Sequence, residues 1–171
     1  MLNVPTLVAN WKMYYSVAET QAVLQDLLTR WPTRPRLELT ICPSFLALEP
    51  AARIMKGSGI VLGSQDMFWE AQGAYTGEIS PGMLRDVGCR TVILGHSERR
   101  EHLGETDSMV CRKLLAALAA KLDPIVCVGE SREQRVAGAT AQVLEHQVRA
   151  VFANLPPIHP DQRITIAYEP L

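Results

Sequence analysis

Six short apolar runs recur along this chain, with starts roughly 30 residues apart, and that rhythm limits the fold more than any other feature. They cover residues 6–9, 37–42, 60–62, 91–94, 124–128 and 163–167, and are rich in Val, Ile and Leu. The runs are nearly continuous rather than alternating. Strands buried on both faces have this pattern, which favours a parallel sheet. Helical periodicity fills the gaps. Val17–Arg30 places Val17, Val23, Leu24, Leu27 and Leu28 on one side. Residues 107–121 repeat Val110, Leu114, Leu115 and Leu118, and residues 131–154 carry Val136, Val143, Leu144, Val148 and Val151. Ser16 and Thr106 suit N-caps, and Glu130-Ser131 opens the third helix.

A repeated β-α order gives either a doubly wound open sheet or a (β/α)8 barrel. No G-x-G-x-x-G or Walker-type loop follows any run. Instead, polar clusters close the first, fourth and sixth runs: Asn10-Trp11-Lys12, Gly95-His96-Ser97-Glu98-Arg99-Arg100 and Tyr168-Glu169-Pro170. Strands that are not neighbours share a site naturally in a closed barrel, where all carboxyl ends ring one mouth. A complete barrel takes about 250 residues. Six strands in 171 residues fit a single domain, residues 1–171, that covers part of one.

Composition excludes several classes. The formal net charge is -1 with no basic stripe, which argues against nucleic acid as a partner. No apolar stretch is long enough to span a bilayer, and no signal segment opens the chain, so a cytoplasmic protein without membrane contact is expected. Cys42, Cys89, Cys111 and Cys127 form no C-x-x-C pair and read as free thiols, those at 42 and 127 buried. His96, His102, His146 and His159 lack metal-ligand spacing, so no metal site is expected.

The clusters carry chemistry. Glu169 precedes a proline, which holds it extended. Shielded by a closing loop, such a carboxylate would serve as a general base toward a carbon-bound proton. His96 sits between Gly95 and Ser97 at a helix start, where a neutral imidazole would donate to a developing oxyanion. Lys12 would supply positive charge for an anionic substrate, and Asn10 an amide donor. No G-x-S-x-G elbow supports a serine hydrolase around Ser97. A carboxylate base, a neutral histidine and a lysine suit proton abstraction beside a carbonyl. Residues 72–80 form a glycine-punctuated loop with Tyr75 and Thr76 at its centre, placed to engage a ligand or another chain.

Taken together, these segments resemble the triosephosphate isomerase family over the whole chain. The resemblance is carried by Ala9-Asn10-Trp11-Lys12-Met13, by Gly73 through Ser80, by Leu94 through Arg100 continuing into Gly104-Glu105, by Cys127-Val128-Gly129-Glu130, and by Ala167-Tyr168-Glu169-Pro170. It implies the (β/α)8 TIM barrel, of which this chain would hold about six βα units. It also implies interconversion of dihydroxyacetone phosphate and glyceraldehyde 3-phosphate through an enediol(ate), a reaction of glycolysis and gluconeogenesis. Glu169 would be the base, His96 the electrophile and Lys12 the balancing charge. Asn10 would bind the substrate oxygen, with Glu98 and Ser97 behind them. The substrate would be a small phosphorylated triose. The resemblance implies no metal and no organic cofactor, and it implies a homodimer with Tyr75 in the interface, in which Thr76 reaches the neighbour's Asn10 and Lys12, supported by Glu78 and Arg99.

There are departures. Tyr14-Tyr15 stand where many members have Asn-Gly, and Asp66 replaces a common asparagine after Gln65. The family also continues past Pro170 with a mobile lid and two further βα units that grip phosphate. Residues 1–171 alone are therefore expected to have little or no activity. A split enzyme needing a C-terminal complement, or a non-catalytic form binding a partner through the 72–80 loop, stands as the alternative.

Overall fold

All six apolar runs are strands in the computed structural model, which describes residues 5–31 and 36–170. They are β1 (Thr6–Asn10), β2 (Glu38–Cys42), β3 (Val61–Ser64), β4 (Thr91–Leu94), β5 (Asp123–Val128) and β6 (Thr165–Tyr168). Every pairing is parallel and the order follows the sequence, β1 to β6. Parallel neighbours need a crossover, and helices supply it. The helices are α1 (Val17–Arg30), α2 (Leu48–Met55) after a 3-10 turn at Phe45–Ala47, α3 (Pro81–Asp86), α4 (Ser97–Leu103), α5 (Asp107–Ala119), α6 (Arg132–Val136) and α7 (Thr140–Phe152).

Local chemistry sets the helix starts. Ser16 and Ser131 each close a reciprocal capping box, with Glu19 and Gln134, and Thr106 accepts the Met109 N–H. The helix expected over residues 131–154 is two helices. Gly138 takes φ 71° between them, a left-handed conformation that ends α6 and re-aims the chain into α7. The helix expected over 107–121 stops at Ala119, and Lys121 follows with φ 58°.

The sheet buries two layers. Leu39, Ile41, Leu62, Val92, Leu94, Val126 and Val128 pack outward with Leu24, Ala51, Leu114 and Leu118 of the helices. Cys42, Ile93 and Cys127 meet Val8 and Ala167 on the other face. That inner face is concave. Arg163 Nη2 donates to Glu38 Oε1 at 2.7 Å, joining the starts of β6 and β2. Four inter-strand steps would separate those strands by about 19 Å in a flat sheet. An ion pair across that gap requires the sheet to curl, as an incomplete barrel does. Strands β1 and β6 form its two edges. Their outward Leu7 and Ile166 are 57% and 52% exposed, unlike their counterparts on inner strands. Among the described residues, no helix is long and apolar enough to cross a membrane.

One buried polar cluster binds β3 to the helices. Lys113 of α5 donates to Asp66 Oδ1 at 2.7 Å and pairs with Glu105. Arg99 of α4 reaches Asp66 Oδ2 at 2.9 Å and Glu105 Oε2 at 3.1 Å. Lys113 and the two carboxylates meet away from water while Arg99 closes the cluster from a partly exposed position, and removing Lys113 would strand buried charge. Burial pushes the Asp66 carboxyl up, and Lys113 and Arg99 oppose that shift. Replacing Lys113 by Met should lower stability by about 3–5 kcal/mol in urea unfolding, the range for breaking a buried pair.

Candidate active site

The turn after β1 is strained and heavily tied. Lys12 adopts φ 52°, a left-handed conformation that costs a non-glycine residue about 1–2 kcal/mol. Three hydrogen bonds hold it. Its N–H donates to Asn10 Oδ1 at 3.0 Å, and Gln65 Nε2 donates to the Lys12 carbonyl at 2.8 Å and to the Cys42 carbonyl at 2.9 Å. The Trp11 N–H donates to Cys42 O at 3.1 Å, extending the β1–β2 ladder into the turn. Lys12 Nζ then reaches Glu98 Oε1 at 2.8 Å, from the end of β1 to the first turn of α4. That hydrogen bond holds the Lys12 ammonium above its ordinary value and the Glu98 carboxyl below its own.

The end of β4 supplies the second group. Gly95 takes φ 70°, and a Cβ there would meet Arg100 Nη2 and Val110 Cγ2, each at 2.9 Å. Arg100 lies over this turn, donating to Gly95 O at 2.8 Å and to Asp107 Oδ1 at 2.6 Å. His96, nearly buried, is the N-cap of α4, and its Nδ1 accepts the Glu98 N–H at 3.3 Å. A ring nitrogen that accepts carries no proton, so the proton of the neutral imidazole sits on Nε2. Nε2 points at Glu169 Oε1, 3.0 Å away. The other carboxylate oxygen, Oε2, accepts the Ser97 N–H at 3.2 Å.

Strand β5 places Glu169. The ladder ends with Val128 opposite Tyr168, and the Glu169 N–H donates to Val128 O at 2.8 Å. Gly129 follows, where a Cβ would overlap the Glu169 carbonyl, so only glycine fits. Tyr168 is held as well. Its hydroxyl donates to the fully buried Glu130, whose Oε1 also accepts from Arg135 at 3.0 Å and Thr140 at 3.0 Å. Cys127 lies beneath, its thiol pushed up to about 12 by burial, which makes it inert.

The structure therefore brings together Asn10, Lys12, His96, Ser97, Glu98 and Glu169, drawn from three strands that are not neighbours. Tyr75, Thr76 and Glu78 lie elsewhere, on the exposed loop after β3, with Tyr75 tilted against Phe68 at 4.6 Å between ring centroids. Arg99 is committed to the buried cluster with Asp66 and Glu105. Three contributors escaped the sequence reading. Gln65 precedes Asp66 in an undistinguished stretch. Gln147 lies within a helix whose apolar spacing drew the attention. Glu130 carries a buried charge that no pattern announces. Among the described residues, no group of three or more His, Cys, Asp or Glu is arranged to hold a metal.

A carboxylate, an imidazole and a paired lysine at the strand ends of a curled parallel β/α sheet define an enzyme of the β/α-barrel class. Comparison with known proteins narrows this. The family model for triosephosphate isomerase matches residues 5–171. The triosephosphate isomerase of Chloroflexus aurantiacus is 48% identical over 99% of this chain and 68% of its own length. Those of Thermoanaerobacter pseudethanolicus and Roseiflexus sp. are 43% and 45% identical, over 98% and 99% of this chain and 66% of their own lengths. The chain belongs to the triosephosphate isomerase family, and spans about two thirds of the length of the curated relatives it matches.

The Lys12–Glu98 pair sets a pH window. Glu98, with its pKa lowered, contributes to the fold above its ordinary carboxylate value and loses that contribution as pH falls through the depressed value. Lys12, with its pKa raised, contributes below its ordinary value and loses this only as pH rises through the raised one. Substituting Glu98 by Gln should return Lys12 toward the ordinary lysine value, read by NMR titration of its side chain.

Proposed function

We propose that this site interconverts dihydroxyacetone phosphate and glyceraldehyde 3-phosphate, with Glu169 as base and His96 as electrophile. The observation that carries the reading is the meeting of Glu169 Oε1 and His96 Nε2 at 3.0 Å, with Lys12 nearby. Glu169 takes the proton from C1 of the ketose. The C–H electron pair becomes the C1–C2 double bond, and the carbonyl pair moves onto O2. His96 Nε2–H donates to that oxygen, and Lys12 offsets the charge. His96 gives its Nε2 proton to O2 and takes the O1 proton in exchange; the O1 pair then forms the C1=O bond while the C1–C2 pair takes the proton back from Glu169 at C2, which gives the aldose. The reaction belongs to glycolysis and gluconeogenesis.

Geometry adds a requirement. At 3.0 Å no substrate atom fits between base and imidazole, so the carboxylate withdraws from His96 when substrate enters. Asn10 commits its amide oxygen to the Lys12 N–H, which leaves its NH2 as the donor toward substrate. Glu98 and Ser97 act behind these groups, by holding Lys12 and Glu169.

The partner in this reading is a second copy of the chain. Met13 is 96% exposed and Tyr14 78%, both in the turn that carries Lys12, and Tyr75 and Thr76 project from the loop after β3. Apolar side chains so placed favour a homodimer in which the 75–78 loop meets the neighbour's β1 turn. The buried, unbridged Cys42, Cys89, Cys111 and Cys127 fit a cytoplasmic setting.

Two measurements test this. In the full-length gene product, Glu169→Gln should lower kcat by about 10²–10⁴-fold in a coupled isomerase assay, the usual worth of a general base. Turnover within threefold of wild type would remove Glu169 from the role. The polypeptide of residues 1–171, with its β1 and β6 edges open, should self-associate in sedimentation runs and turn over slowly. A monodisperse, fully active monomer would refute that.

A further inference from the structure

We propose that Gln147 is a positioning residue for Glu169, acting through the peptide of Gly129. The inference rests on the reading of Glu169 as the base. Gln147 lies mid-way along α7, half-buried, and its side-chain amide engages a single residue twice. Oε1 accepts the Gly129 N–H at 2.9 Å, and Nε2 donates to the Gly129 carbonyl at 2.9 Å. Strand β5 ends at Val128, so the amide supplies Gly129 with the donor and acceptor that a neighbouring strand would otherwise offer.

What Gly129 touches gives this its consequence. The Glu169 carbonyl sits where a Cβ of residue 129 would be, and the Glu169 N–H is bonded to Val128 one residue earlier. The backbone of Glu169 thus rests on a two-residue seat at the end of β5, and Gln147 is the side chain that fixes its outer half. The carboxylate extends from that seat to Ser97 and His96. A shift of the seat is carried directly to the oxygen that takes the proton, and misplacing a reacting group by 1 Å costs up to about 10²-fold in rate. Arg149 pairs with Glu145 on the exposed face of α7, and Thr140 at the start of the helix reaches Glu130, one residue beyond Gly129.

The geometry separates the effects of two substitutions. Gln147→Leu removes both hydrogen bonds. Gln147→Glu keeps the acceptor for the Gly129 N–H and places a carboxylate against the Gly129 carbonyl, which repels it. Substrate binding is not addressed by either, since neither group contacts Asn10 or Lys12.

The test measures kcat and KM in the full-length gene product, together with the crystal structure of each variant. Gln147→Leu should lower kcat at least tenfold with KM within twofold of wild type, and Gln147→Glu should fall between. In a Glu169→Gln background, the same Leu substitution should lower the residual rate by less than twofold, because no base remains to be positioned. Full multiplicative loss in the double variant would reduce Gln147 to a general structural role and overturn the proposal. If Gln147→Leu does not fold, Gln147→Glu carries the same comparison. In the crystal, the variant's Glu169 carboxylate should leave the Ser97 N–H. A carboxylate that stays at 3.2 Å from Ser97 overturns the proposal whatever the rates. Lack of isomerase activity in the wild-type product would instead refute the base assignment, and the crystal comparison would still decide the seat.

Discussion

Parallel pairing in a curled sheet is the constraint on which everything else in this structure depends. Because all strands run the same way, every carboxyl end lies at one rim. Because the sheet curls, rim positions that sequence keeps far apart become neighbours. Lys12 and Glu98 are 86 residues apart and Ser97 and Glu169 are 72 apart, yet each pair is in hydrogen-bond contact. A flat sheet of the same strands would hold β1 and β4 about 14 Å apart and β4 and β6 about 10 Å apart, and the curl shortens both spans at the rim. The site is thus a consequence of curvature before it is a consequence of side-chain chemistry.

The rim groups are stabilised by backbone as much as by side chains. Lys12 is held in a left-handed conformation by the Asn10 and Gln65 side chains, His96 is oriented by a peptide N–H, and Glu169 is seated on Val128 and Gly129. Such local strain persists only where the surroundings over-determine it. The buried cluster of Asp66, Arg99, Glu105 and Lys113 performs a related task one layer out, fixing α4 against β3 and α5. Arg99 therefore works within its own chain, through α4.

Much of this was legible in the chain. The strands, α1, the start of α5 and the caps at Ser16, Thr106 and Ser131 follow from apolar spacing and capping chemistry, which are local. The start of α4 at Ser97 was legible too, from its capping residues, whereas the short helices α2 and α3 were not, since six to eight residues give too little periodicity to stand out. The break at Gly138 was overridden in the reading by apolar spacing that continues on both sides of it. Of the site, Asn10, Lys12, His96 and Glu169 were visible because they end apolar runs. Gln65, Glu130 and Gln147 were not, because their partners are backbone groups and side chains far along the chain.

The sequence by itself determined the strands, their parallel sense, the longer helices and the polar groups that close the strands, because these follow from patterns within a few residues. Only the tertiary structure decided how those groups address one another. It turned Nε2 of His96 toward Glu169, seated Glu169 against a glycine that admits no side chain, and paired Arg99 with buried carboxylates. Each outcome depends on distances between residues far apart in sequence. Those distances are set by the curl of the sheet and the packing of helices on it, which no local pattern encodes.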